Sequence, residues 1–111
     1  MKTLRFIVEN QILKLDPTCD CSDLVPGTKG YLNAEFSFSK EWDNMAKVVG
    51  FYSPLGREYS PRVLTDGRTC IIPFEALEKR IFKVQVVGQS SDFKRKLKTN
   101  KVAIRQDGGK T

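Results

Sequence analysis

The sequence predicts an all-β fold, an antiparallel β-sandwich of seven to eight short strands with one short helix. Three observations carry that prediction. Apolar and polar residues alternate with period two through most of the 111 residues. Turn chemistry, in Pro, Gly, Asn and Asp, recurs about every ten residues. A single segment, after Pro73, has helical spacing, so no crossover helices exist to support a parallel sheet. At 40% hydrophobic and 10% aromatic residues the chain can fill one core, which assigns residues 1–106 to a single domain and leaves 107–111 as a polar tail.

Taken in order, Leu4, Phe6 and Val8 share one face of a first strand, with Thr3, Arg5 and Glu9 opposite. Glu9-Asn10 forms a hairpin tip, and Leu13 and Leu15 line the return. Pro17, Asp20, Asp23, Pro26 and Gly27 mark a long loop over 17–29. The clearest strand follows: Leu32, Ala34, Phe36 and Phe38 point one way, Asn33, Glu35, Ser37 and Ser39 the other. Residues 40–44 connect it to a strand over Ala46–Tyr52. Ser53-Pro54-Leu55-Gly56 is a turn, and Arg57–Leu64 returns along an edge, because Pro61 has no amide hydrogen to give a ladder. Asp66-Gly67 reads as a hairpin signal, with a strand over Thr69–Ile72. Pro73 opens the helix, two turns at most, with Phe74, Leu77 and Ile81 on one stripe. Phe82, Val84 and Val86 point inward from the next strand, Lys83 and Gln85 outward. Gly88–Asp92 turns, and Phe93–Leu97 and Val102–Ile104 are the last extended segments. This spacing has immunoglobulin-like character. An OB-type barrel is the second architecture compatible with length and basicity.

Composition narrows the chemistry. There is no histidine, which removes Ser-His and Cys-His nucleophile systems, histidine metal sites and the usual general base. The expectation is a protein that is not an enzyme and carries no cofactor. Lys and Arg number 19 against 13 Asp and Glu, for a net charge of +6. The excess lies in the second half: residues 57–111 hold 13 basic and 6 acidic groups, residues 1–56 hold 6 and 7. Such a field suits nucleic acid, an anionic surface or an acidic protein, and equally a solvated face. No segment reaches membrane-spanning length. With no secretory signal at the start, Cys19, Cys21 and Cys70 read as reduced loop and core thiols. A three-thiolate zinc site lacks its fourth ligand.

Several local patterns suggest chemistry. Lys94, Arg95, Lys96, Lys98 and Lys101 form the densest cationic run. Lys94, Lys96 and Lys98 fall on one strand face and Arg95 on the other, and Phe93 is placed to stack on a base. The same lysines also suit an edge strand guarded against aggregation. Trp42 either covers one end of the sandwich or joins Phe51 and Tyr52 in an aromatic contact for a protein partner. Asp16, Asp20 and Asp23 cluster in the first loop, but Gly27 stands where a calcium loop of the EF-hand type needs glutamate. Glu41 and Asp43 are too close in sequence for a glycosidase pair. Gly108-Gly109-Lys110-Thr111 lacks the first glycine of a phosphate-binding loop. The candidate partner-binding residues are therefore Trp42, Phe51 and Tyr52 together with Lys94, Arg95, Lys96, Lys98 and Lys101.

Phe36-Ser-Phe-Ser, Glu41-Trp42-Asp43, Lys47-Val-Val-Gly-Phe51, Leu64-Thr-Asp-Gly67 and Cys70-Ile-Ile-Pro73 occur in that order. Phe82-Lys-Val-Gln-Val-Val-Gly88 and Thr99-Asn-Lys-Val102 follow. Over roughly residues 30–105 this series resembles the N-terminal domain of baseplate upper proteins and related small tail-associated proteins of phages of Gram-positive bacteria. The resemblance implies an immunoglobulin-like sandwich that binds other virion proteins, made in the host cytoplasm, carried in the virion and present there in several copies. No stalk or heptad repeat follows the domain, which departs from the family pattern. The resemblance then implies a free-standing attachment or decoration subunit. It also implies an alternative, a copied domain that blocks a host defence protein such as a CRISPR nuclease. Nucleic-acid binding through residues 94–101 is the further alternative.

Overall fold

The computed structural model describes residues 2–19 and 32–106. The predicted loop centred on Asp20, Cys21 and Asp23 and the tail at 107–111 lie outside the described residues. The strands are β1 (Lys2–Glu9), β2 (Ile12–Leu15), β3 (Leu32–Phe38), β4 (Met45–Tyr52), β5 (Arg62–Val63), β6 (Thr69–Ile71), β7 (Ile81–Ser90), β8 (Lys96–Lys98) and β9 (Val102–Arg105). One four-residue helix, α1 (Phe74–Leu77), and a 3-10 turn over Lys40–Trp42 complete the described elements. Among the described residues no helix is long and apolar enough to cross a membrane.

Two sheets face each other. One has the order β2-β1-β3-β6; the other has β5-β4-β7-β8, with β9 also on β7. The all-β sandwich read from period-two alternation is what forms, with nine strands among the described residues rather than seven or eight. Leu4, Phe6, Val8, Leu32, Ala34 and Phe36 point inward from the first sheet, and Val49, Phe51, Phe82, Val84 and Val86 from the second. Ring contacts tie the interior together: Phe6 stacks on Phe36 with centroids 4.9 Å apart, while Phe38 and Trp42, at 5.3 Å, and Phe51 and Phe82, at 6.4 Å, meet tilted.

Several local expectations change, each for a physical reason. β1 and β3 pair in parallel, in register from Thr3–Asn33 to Val8–Phe38. β2 runs antiparallel to β1, so its end lies toward the start of β1. β3 begins at that same end, on the other flank, and must run with β1. Asp66-Gly67 makes a tight turn, with Gly67 at φ +78°, but no hairpin: β5 belongs to one sheet and β6 to the other. The Asp66 carboxylate accepts the amides of Arg68 and Thr69 and the Thr69 hydroxyl, so the turn carries the chain between layers. Along Arg57–Leu64 only Arg62–Val63 is strand, at the edge Pro61 dictates. The helix is one turn, and Pro73 is its N-cap. The chain turns at Ser91–Asp92 and bends at Phe93, so Phe93–Arg95 are not strand and β8 starts at Lys96.

The seam between the layers is closed by side chains on both flanks. On one, the Asn100 amide bridges to β2: Leu13 N–H donates to Oδ1 at 2.7 Å and Nδ2 donates to Leu13 C=O at 3.1 Å. On the other, Arg62 Nε donates to Ile71 C=O at 3.2 Å. Closure by side chains rather than by a continuous ladder makes this a sandwich and not a barrel.

Candidate docking surface

Of the two readings of Trp42, burial bears out the cover over one end of the sandwich and corrects the aromatic partner contact. Trp42 and Phe51 are both fully buried, so neither can touch a partner. Trp42 sits under the end of the sandwich against Gly88, where an added Cβ would come within 2.7 Å of its ring, and its Nε1–H donates to Asn10 C=O at 2.6 Å. Phe51 points inward because its β4 neighbours Val49 and Met45, two and six residues back, are core residues too. Tyr52 has the opposite parity and is half-buried on the outer face, where its ring folds back over Gly50. Lys101 Nζ lies 4.1 Å from that ring's centroid, within reach of a cation–π attraction. Burial, and then the nearby Glu58 charge, raise the Tyr52 phenol above its ordinary range.

The outer face of the five-stranded sheet gathers most of what remains. Register places Val63 beside Val48, Val48 beside Val87, and Val87 beside Lys98. The next row is Ala46, Gln89 and Lys96. At about 4.8 Å per strand, the first row runs roughly 14 Å from an apolar end to a cationic one. Val63 is 60% exposed, and Ala46, Lys96 and Lys98 are exposed. Lys83, Ala103 and Arg105 continue the same face along β7 and β9. Among the described residues the ion pairs are Arg5–Glu35 and Arg68–Glu35, both on the other sheet, so the cations of this face keep their charge free of carboxylate partners.

A bulge positions these lysines. Thr99 N–H donates to Val86 C=O at 3.0 Å, and Val102 pairs with Val84. Asn100 and Lys101 therefore oppose Gln85 alone, one residue too many for a regular ladder. Gln85, predicted to point at water, is buried instead. Its Nε2–H donates to Thr99 C=O at 2.6 Å, which holds the bulge down. The extra residue throws Asn100 across to β2 and leaves Lys96 and Lys98 on the outer face. Lys94 and Arg95 sit one step earlier, in a turn stitched by Asp92, which accepts the Ser90 hydroxyl and the Lys94 amide. Those bonds hold the Asp92 carboxyl below its usual range. At the tip of that turn Phe93 is 78% exposed with φ +60°.

The other recesses carry different chemistry. An open cleft is lined by Glu58, Glu75 and Glu78 together with Arg57 and Lys79. Its own backbone amide and the Ser60 hydroxyl, at 3.0 Å, keep Glu75 below the ordinary carboxylate range, so it is a charged acceptor. Among the described residues no group of three His, Cys, Asp or Glu side chains stands close enough to hold a metal. Cys70 is half-buried, and burial pushes its thiol up to about 12. Comparison of the chain with protein-family models, curated proteins and solved structures gives no significant match. The surface itself therefore carries the functional reading.

Proposed function

We propose that the chain is a non-enzymatic docking module of a phage virion, seated in the baseplate or tail by protein–protein contact through the outer face of its five-stranded sheet. The observation that carries this reading is the Val63–Val48–Val87 row ending on Lys98. An apolar strip supplies burial, and a charged margin supplies orientation and rejects wrong partners. A margin built from Lys83, Lys96, Lys98 and Arg105 favours an acidic partner surface. The resemblance to baseplate upper proteins supports the choice of assembly. Mass spectrometry of purified particles tests it: the chain is expected in mature virions. A Val48→Asp/Val87→Asp variant that keeps its circular dichroism is expected to be missing from them. A wild-type chain absent from particles overturns the reading, and its recovery on a host defence protein instead would turn the same face to inhibition.

A second reading rests on Phe93, whose exposed ring stands beside Lys94 and Arg95. An exposed ring next to a pair of cations suits single-stranded nucleic acid. It predicts binding that weakens steeply with salt and is lost in Phe93→Gly; no binding at low salt removes it.

A further inference from the structure

We propose that the open edge of β8 receives an extended acidic segment of a partner protein as an added strand. The inference deepens the docking reading above and rests on it. Two hydrogen bonds fix which backbone groups face out: Ser90 N–H donates to Arg95 C=O at 2.9 Å, and Thr99 N–H donates to Val86 C=O at 3.0 Å. With Gly88 opposite Leu97, the amides of residues 95, 97 and 99 turn toward β7. In an antiparallel ladder the alternate residues turn the other way. The N–H and C=O groups of Lys96 and Lys98 therefore line the outer edge of the sheet, with no partner among the described residues.

The edges of β2, β5 and β6 are occupied or cut short. Leu13 on β2 gives both its backbone groups to Asn100. Ile71 on β6 gives its carbonyl to Arg62. β5 has two residues and follows a proline. That leaves β8 and β9 as the open edges, and of the two β8 is the one flanked by two lysines on the outer face.

The side chains specify the guest. A residue placed directly opposite Lys96 or Lys98 projects onto the same outer face, and opposite charges there attract. The residue between them projects inward beside Leu97, which packs against the core, and should be apolar. The fitting segment reads acid–apolar–acid, held by main-chain bonds as in strand addition generally. A second copy of β8 would set lysine against lysine, so self-pairing is disfavoured by the same geometry.

Fluorescence anisotropy of a labelled octapeptide alternating Glu and Val, titrated with the whole protein, tests this. The peptide is expected to bind, and a peptide of the same composition in blocks of two is expected to bind far more weakly. The deciding pair is Lys98→Gln and Lys98→Pro. Both delete one charge, but only proline deletes the outward N–H, and the ladder to β7 does not use that N–H. Proline is expected to cost about tenfold more affinity than glutamine, the worth of roughly one backbone hydrogen bond. If Lys98→Pro unfolds, the Lys96→Gln and Lys96→Pro pair makes the same comparison. Equal affinities for proline and glutamine variants, or equal binding of the alternating and block peptides, overturn the proposal. So does tighter binding of an oligothymidine of equal charge, which would assign the lysines to phosphate. Particle incorporation of Lys98→Pro is scored separately: a variant that loses the peptide yet still enters virions sinks the added strand and leaves the docking module standing.

Discussion

Replacing Gly88 by alanine tests the packing at the Trp42 end of the sandwich. The new methyl would lie 2.7 and 2.8 Å from two ring carbons of Trp42 and 3.2 Å from Met45 Sδ. Carbon–carbon contact is comfortable from about 3.5 Å, so the ring must retreat by about 0.8 Å. It has little room: the Phe38 ring lies tilted against it with centroids 5.3 Å apart, and Asn10 C=O holds its Nε1–H at 2.6 Å. Overpacking of this kind costs about 1–3 kcal/mol, and weakening the indole hydrogen bond adds about 1 kcal/mol. A loss of about 2–4 kcal/mol lowers Tm by at least about 8 °C in a domain of this size. Thermal melts followed by circular dichroism measure the loss. The emission of the single tryptophan reports whether the ring has moved toward water. In the double variant with Trp42→Phe, the combined loss should fall short of the sum by about 1 kcal/mol or more, because the smaller ring relieves the clash. A Gly88→Ala protein that melts within about 2 °C of wild type with unshifted emission would refute the reasoning. Strict additivity in the double variant would do the same.

Asn100→Ala should destabilise by about 1–3 kcal/mol, since it strands the part-buried amide and carbonyl of Leu13. Urea titration measures it, and exchange of the Leu13 amide should accelerate along with it. Asp66 is held at about 2, well below its ordinary value near 3.8, chiefly by the Thr69 hydroxyl and then by the amides of Thr69 and Arg68. Its folded pKa is depressed, so its contribution is present above pH 3.8 and fades as pH falls toward 2. The Tm gap between wild type and Asp66→Asn should therefore shrink across that window, and a constant gap would count against the turn network. Cys70, a half-buried thiol that desolvation pushes up to about 12, should resist iodoacetamide at pH 8 in the native protein and react once guanidinium unfolds it, because the thiolate is the nucleophile. Phe93→Gly should raise stability by up to about 1 kcal/mol in chemical denaturation, since a bulky side chain at φ +60° is strained and glycine is not.

Alternation was enough to find the layers, because a strand with one wet face writes its burial into every second residue. Leu32, Ala34 and Phe36 show this directly. Partner choice between strands was not legible: the parallel β1–β3 pair depends on where β3 starts, which no local pattern encodes. Residue type alone points Trp42 and Phe51 toward a contact surface, yet the parity of Phe51 with Val49 on β4 favours the interior, and the Gly88 space that seats Trp42 shows only in the fold. The valine row was missed although a signal was present. The doublets Val48-Val49 and Val86-Val87 put one valine on each face, so both faces of β4 and β7 are apolar where a solvated face would alternate. Gln85 looked outward by parity alone. The bulge that buries it arises from one extra residue between β8 and β9, a count that appears only once both registers are known.

That supernumerary residue also bears on how the molecule carries load. Asn100 and Lys98 are two positions apart, and Asn100 is bolted to β2 in the opposite layer. Tension applied at the lysines therefore reaches both leaves of the sandwich at once, and the outermost strand is not free to peel away like a zipper. A handle placed at Lys98 is thereby fixed to the frame of the fold.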